Sequence, residues 1–355
     1  METTIINPPS QNSPVLTSSL YSLKAYTGGN KVLVELIRDP AGDSDCFFST
    51  ELYSINGIVE LSDIGSIIEE QFRLKSRISD IIEIRFDNTS TAFTAVYCEY
   101  ILDPDFDCTK CFLTASAISM VHRNSPISLS HFSNGSSEYI VNIVGHDRDG
   151  IVAAVSRKFI RKNQSLSVSF SVNEIIEAAL APAEGETPLV SVAYFAITYA
   201  SFQKIFYVVE HPFFLTFLFR NMFNADEYVD IVCTVTRKTE IDSGTAICDG
   251  RLQQYDRVVS RTYNVQTGPL TDNQVSEIEQ LISSHRIRLC TSDYDFNVII
   301  TDHTVEVDND DETLHSIKFS FRFTDSRPRV VSSDLRSLMP SSSHVFSNEF
   351  SAEFA

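Results

Sequence analysis

The sequence predicts a mainly β protein: tandem antiparallel β-sandwich-like domains, each with one short amphipathic helix. Three observations lead there. First, two stretches of the 355-residue chain repeat one plan, residues 20–102 (LYSLKAYTGGNKVLVELIRDPAGD…) and residues 127–209 (ISLSHFSNGSSEYIVNIVGHDRDG…). In each, a short alternating run reaches a polar turn (residues 28–30; residues 134–136), and a stronger apolar strand follows (residues 32–37; residues 139–144). Further on, VELSDIGSIIEEQF matches VSFSVNEIIEAAL, a strand running into a helix with paired isoleucines, Ile67 and Ile68 in one, Ile175 and Ile176 in the other. Second, the offset between the copies is about one domain length, which indicates tandem domains rather than a short-period solenoid. Third, IKFSFRF near the C-terminus alternates, with Ile317, Phe319, Phe321 and Phe323 on one side and Lys318, Ser320 and Arg322 on the other. Period two places these on opposite faces of a strand, and one apolar and one polar face is the pattern of an antiparallel sheet.

In chain order, residues 1–19 are rich in Ser, Thr, Asn and Pro and read as a flexible N-terminal arm. Residues 20–102 form the first repeat unit. Its helix, near residues 62–76, carries Ile64, Ile67, Ile68 and Phe72 at helical spacing, with Ser62 or Asp63 as N-cap. Residues 103–126 are a connector, polar in DPDFDCTKC and then strand-like in FLTASAISMVH, and residues 127–209 are the second unit, with a loop at AEGETP (residues 183–188). From residue 210 to residue 331 a third β domain follows, expected to mediate assembly. Its helix at residues 271–284 opens on a capping box, Thr271 with Gln274, a hydrophobic staple of Leu270 and Val275, and a stripe of Val275, Ile278, Leu281 and Ile282. Residues 332–355 are Ser-rich and read as a C-terminal arm.

Composition narrows the function. Apolar residues make up 43%, enough for real cores and too many for a disordered chain. No apolar run reaches the ~18 residues of a membrane-spanning helix, and METTIINPPSQNSPV lacks the basic and apolar segments of a secretory signal, so folding in a cytoplasm is expected. A formal charge of -19 argues against nucleic acid and anionic membrane as partners, because phosphate binding needs a basic surface. Seven cysteines, an odd number set in or beside apolar runs, read as free thiols.

The chemical motifs are sparse. Cys108 and Cys111 form a lone CxxC without the second ligand pair that zinc needs. Asp103, Asp105 and Asp107, and the acidic run at residues 308–312, offer carboxylates of the kind calcium takes, but both lack the glycine and terminal glutamate of an EF-hand loop. No phosphate-binding glycine loop, G-x-S-x-G or HExxH occurs. No catalytic residue, cofactor site or metal site is therefore expected. Arg286, Arg288, Arg322, Arg327 and Arg329 stand out in an acidic chain. They read either as a solvated strand face or as a subunit interface meeting acidic surface on a neighbour.

The segments HPFFLTFLFRNMFNADEYVDI, GRLQQYDRVVSRTYNVQTGPLTDNQ, FNVIITDH and LHSIKFSFRFTDSRPR resemble a group of uncharacterised proteins of Bacteroides-type bacteria and their phages or prophages. The order of strands, one amphipathic helix and further strands in the third domain also resembles the tail-tube and distal-tail ring proteins of tailed phages. That resemblance implies hexameric or trimeric β rings, arms that order on assembly, and no catalytic residues. The two duplicated units that precede the third domain depart from it. The expectation is a structural virion protein of the tail or baseplate, a homo-oligomer in a ring or tube-like assembly with other virion tail proteins. It would be made in the host cytoplasm and located in the virion. The alternative is a surface or secreted carbohydrate-binding or adhesin β-sandwich, and a third reading is a hydrolase with a site converging on a β scaffold.

Overall fold

The computed structural model describes residues 3–39, 44–100, 106–132, 138–162, 166–181, 188–248, 250–291, 295–306 and 315–324. The first unit contains β1 (Thr4–Ile6), β2 (Val15–Leu16), β3 (Ser22–Tyr26), β4 (Lys31–Arg38), β5 (Asp45–Tyr53), β6 (Ile58–Ser62), α1 (Ile64–Lys75), β7 (Ser79–Phe86) and β8 (Thr89–Val96). Strands β2-β8-β7-β4-β5 form one sheet, with β2 parallel to β8, and β1-β3-β6 form the other. The second unit contains β9 (Ile118–His122), β10 (Pro126–Ser130), β11 (Glu138–His146), β12 (Val152–Ile160), β13 (Ser167–Ser171), α2 (Val172–Leu180), β14 (Ser191–Tyr199) and β15 (Phe202–Val209). Strands β12-β11-β14-β15-β9 form its large sheet, with β9 parallel to β15, and β10 pairs with β13. The two units thus share one strand order, and in each a strand from before the repeat lies parallel along the same sheet edge.

Periodicity explains both cores. Strand β4 buries Val32, Val34 and Leu36, and β11 buries Tyr139, Val141 and Ile143, every second residue. Helix α1 buries Ile64, Ile68 and Phe72, and α2 buries Val172, Ile175, Ile176 and Ala179. Each helix packs with residues of both its sheets in one cluster. Fully burying one such side chain stabilises by about 1.5–3 kcal/mol.

Two expectations are corrected. Residues 3–19 are not an arm: β1 pairs along β3, β2 pairs along β8, and Thr17 is buried, its hydroxyl accepting from Cys98 N–H at 2.9 Å. The polar composition reflects short edge strands, which cover sheet edges without needing an apolar face. This segment crosses α1 at Gly65, whose N–H donates to the Leu20 carbonyl at 2.9 Å and where a Cβ would lie 2.1 Å from the Thr17 carbonyl oxygen. Asp63 takes the N-cap position of α1 at φ 55°, without a side-chain capping bond. Nor are residues 103–126 only a connector: Ile118–His122 is a sheet strand, and Cys108 and Leu113 pack with Ile78, Val96, Phe223 and Ala225. The turn at residues 134–136, the loop at residues 183–187, the acidic runs at residues 103–105 and 308–312, and the C-terminal arm lie outside the described residues.

The third unit contains β16 (Phe214–Arg220), β17 (Asp226–Cys248), β18 (Arg251–Thr267), α3 (Asp272–Ser283), β19 (Ile287–Cys290), β20 (Asp295–Glu306) and β21 (Ser316–Phe323). It closes into a barrel, β16-β17-β18-β21-β20-β19, with β19 returning to β16. Inward residues include Phe217, Phe219, Val229, Ile231, Val265, Phe319 and Phe321, and α3 adds Val275, Ile278 and Leu281 to the same core. The capping box of α3 forms, with Thr271 N–H donating to Gln274 Oε1 at 2.8 Å.

Candidate assembly surface and the buried hub

The barrel carries a long projecting hairpin. Strands β17 and β18 pair from Cys233 with Thr267 to Cys248 with Arg251, but β21 joins β18 only over Tyr263–Gln266. Beyond that point, among the described residues, the ladder is two-stranded and, at 3.3 Å per residue, runs for roughly 35–40 Å. From Thr234 to Cys248 no residue is buried. Two cross-strand apolar pairs lie open along it: Ile247 and Leu252 (75% and 73% exposed), and Ile241 and Val259 (52% and 40%). A bulge between Asp242 and Gly244 separates the two pairs, and Lys238 and Glu240, ion-paired at 2.8 Å, take the face opposite Ile241. The hairpin therefore carries two exposed cross-strand apolar pairs among polar and charged neighbours such as Arg237, Thr239 and Thr245.

The predicted arginines lie around this barrel. Arg288 faces outward between buried Ile287 and Leu289 and pairs with Asp295 at 3.3 Å. Arg322 is outward on β21, its Nε donating to Thr262 Oγ1 at 2.9 Å. Both strands flank β20, where Arg288 stands opposite Asn297 and Arg322 opposite Ile299. Arg286 is exposed at the start of β19, with Nη1 3.5 Å from Ser76 Oγ of the first unit. Arg327 and Arg329 lie outside the described residues. On the outer face of β17, β18, β20 and β21 a shallow concavity of about 470 Å³ is lined by polar groups including Thr236, Asn264, Gln266, Asp302, His303 and Lys318.

A second cluster was not foreseen. Between the second unit and the barrel, Lys204 of β15 donates from Nζ to Glu227 Oε1 at 2.5 Å. The other oxygen of Glu227 accepts from Asn221 Nδ2 and from Ala115 N–H, both at 2.7 Å. Close by, Ser119 Oγ donates to Glu277 Oε1 at 2.6 Å, and Asp230 accepts from Thr216 Oγ1 at 2.5 Å and from His122 N–H at 2.6 Å. Burial pushes the Glu277 carboxyl up to about 7, opposed by the Lys204 charge, and burial also raises Asp230 and lowers His122. The loop from β16 to β17 reaches the first unit as well, where Asn224 Nδ2 donates to the carbonyls of Phe72 (3.2 Å) and Arg77 (2.8 Å). This buried network links all three units. A signal for it stood in the strand pattern: Lys204 shares parity with Phe202 and Phe206, and Glu227 with Val229, Ile231 and Cys233, charged residues at core positions.

Cys108 and Cys111 are pushed up to about 12 and 11 by burial, so both are neutral thiols at neutral pH. Among the described residues no three His, Cys, Asp or Glu side chains gather as metal ligands. No helix among them is long and apolar enough to cross a membrane.

No protein-family model matches the chain, and no curated protein matches it. Among solved structures it is similar to a chain from the tail of an empty GTA particle with C6 symmetry. The two are 12% identical, the match covers 31% of this chain and 91% of that one, and the TM-score is 0.23. A likeness this slight carries no argument.

Proposed function

We propose that the chain is a structural protein of a phage-type tail or baseplate, located in the virion, which assembles into a homo-oligomeric ring or tube alongside other tail proteins. Its role is architectural rather than catalytic. The observation that carries this reading is the hairpin that, among the described residues, extends past the barrel with the apolar pairs Ile247–Leu252 and Ile241–Val259 exposed. An isolated two-stranded ribbon is marginal in water, and exposed cross-strand apolar pairs favour a partner. Charge favours a second copy as that partner. Residues 237–262 carry Arg237, Lys238, Arg251, Arg257 and Arg261 against Glu240, Asp242, Asp249 and Asp256, whereas the whole chain stands at -19. A near-neutral, slightly basic ribbon is attracted to the acidic body of its neighbour.

Light scattering coupled to size exclusion, with negative-stain images, tests this on the full chain. Closed rings or stacks are expected for the natural sequence, and monomers for the double variant Ile247→Lys, Leu252→Lys. Because both side chains are exposed, the double variant should shift unfolding stability by no more than about 0.5 kcal/mol per site. A natural chain that stays monomeric at high concentration rejects the reading. The polar concavity favours a second reading, a carbohydrate-binding or adhesin module, since amide, hydroxyl and carboxylate groups converge there. Binding on a glycan array that is lost on Asn264→Ala would support it.

A further inference from the structure

An ordinary buried ion pair needs one cation and one anion. The hub holds more than that. Lys204, Glu227 and Asn221 are 1%, 2% and 3% exposed, so all three sit away from water. Glu227 carries the lysine nitrogen on one carboxylate oxygen and the primary amide nitrogen of Asn221 on the other. The amide is also polarised: its Oδ1 accepts from the backbone N–H groups of Phe223 (3.0 Å) and Ala225 (3.1 Å), and its Nδ2 donates a second bond to the Leu113 carbonyl at 2.9 Å. Two N–H donors on a carbonyl oxygen are the arrangement that stabilises negative charge at that oxygen during acyl transfer. The Lys204 amine and the Asn221 amide are therefore both hydrogen-bonded to one buried carboxylate, one on each oxygen.

We propose that Lys204 and Asn221 join in an intramolecular amide bond, with Glu227 as the proton carrier, stapling the second unit to the barrel. Transfer of a proton from the ammonium to Glu227 frees the Nζ lone pair for attack. Nζ attacks Cγ of Asn221, and the charge that develops on Oδ1 is held by the Phe223 and Ala225 N–H groups. Glu227 hands its proton to Nδ2 and takes a second one from Nζ. The Cγ–Nδ2 bond breaks, ammonia leaves, and an amide between Nζ and Cγ remains. No redox partner or cofactor takes part. Glu277, kept protonated by burial up to about pH 7, adds no second full negative charge that would hold Lys204 as the ammonium. The proposal is independent of the assembly reading, since it concerns a single folded chain.

The test is the intact mass of the purified full chain under denaturing conditions. Loss of one ammonia, about 17 Da, is expected. Trypsin should then yield one branched peptide joining residues 163–220, uncut at Lys204, to residues 221–237. The variants Lys204→Met and Glu227→Gln should both return the full mass. A natural chain that keeps the full mass after prolonged incubation overturns the proposal. So does a 17 Da loss that persists in Lys204→Met, because that marks ring closure of an asparagine on its own backbone (~17 Da as well). Where a variant fails to fold, the branched peptide in the natural chain decides alone: its presence establishes the bond and its absence overturns it.

Discussion

Replacing Glu277 by Gln probes the electrostatics of the hub directly. Burial holds this carboxyl at about 7 against an ordinary 4.5, with the Lys204 charge opposing. The folded chain therefore keeps the Glu277 proton until about pH 7, whereas the unfolded chain releases it around its ordinary value. Between those two values the unfolded state binds fewer protons, so stability falls as pH rises from about 4.5 and levels off above about 7. A shift of this size corresponds to about 3 kcal/mol. Glutamine keeps an acceptor for the Ser119 hydroxyl and cannot ionise. Glu277→Gln should match the natural chain near pH 4.5 and exceed it by up to about 3 kcal/mol at pH 8, at roughly 2–4 °C of melting temperature per kcal/mol. The assay is calorimetric melting from pH 4.5 to 8.5 on both proteins. Asp230 is raised by burial too and its charge is one of those that raise Glu277, so the difference between the two profiles reports Glu277 together with its coupling to Asp230. A difference that stays flat across this range refutes the reasoning.

Other outcomes follow from single contacts. Asn224→Ala removes the donor shared by the Phe72 and Arg77 carbonyls and should cost about 1–3 kcal/mol, with limited proteolysis releasing the first unit earlier than in the natural chain. Gly65→Ala places a Cβ against the Thr17 carbonyl and should destabilise by about 1–3 kcal/mol, with amide exchange accelerated in β1 and β2. Gly145→Val should act likewise at the β11–β14 bulge, where a Cβ would lie 1.9 Å from the Ser191 carbonyl oxygen, and a melting temperature equal to that of the natural chain would count against the packing described.

Much of the fold was legible because its elements are periodic. The alternation of β21 and the stripe and capping box of α3 are local patterns, and local patterns survive in sequence. The shared order of two helices and their strands was visible for the same reason. Residues 3–19 read as an arm because β1 and β2 are three- and two-residue edge strands, too short for any period to show. Barrel closure was equally invisible, since it depends on β19 meeting β16 across some seventy residues of intervening chain. The hub was half visible. Lys204 and Glu227 break the apolar face of their strands, but that they meet is a fact of tertiary packing, and Asn221 looked like any turn asparagine.

The hub and the hairpin are ends of the same strand. Strand β17 begins at Asp226, beside Glu227 and the loop that holds Asn221, and ends at Cys248 by the exposed Ile247–Leu252 pair. A ribbon on a mobile base would lose much of its binding free energy to ordering on contact with a partner. Here the base is fixed: Glu227 is held by Lys204, Ala115 and Asn221, and Asp230 by Thr216 and His122. The ribbon is thereby pre-organised over its barrel half and free only towards its tip. Strain applied at the tip passes along the β17 backbone into the region where the two duplicated units converge. A non-covalent hub would yield there first, because its bonds are individually weak, whereas an amide between Lys204 and Asn221 would make that junction the last part of the molecule to separate.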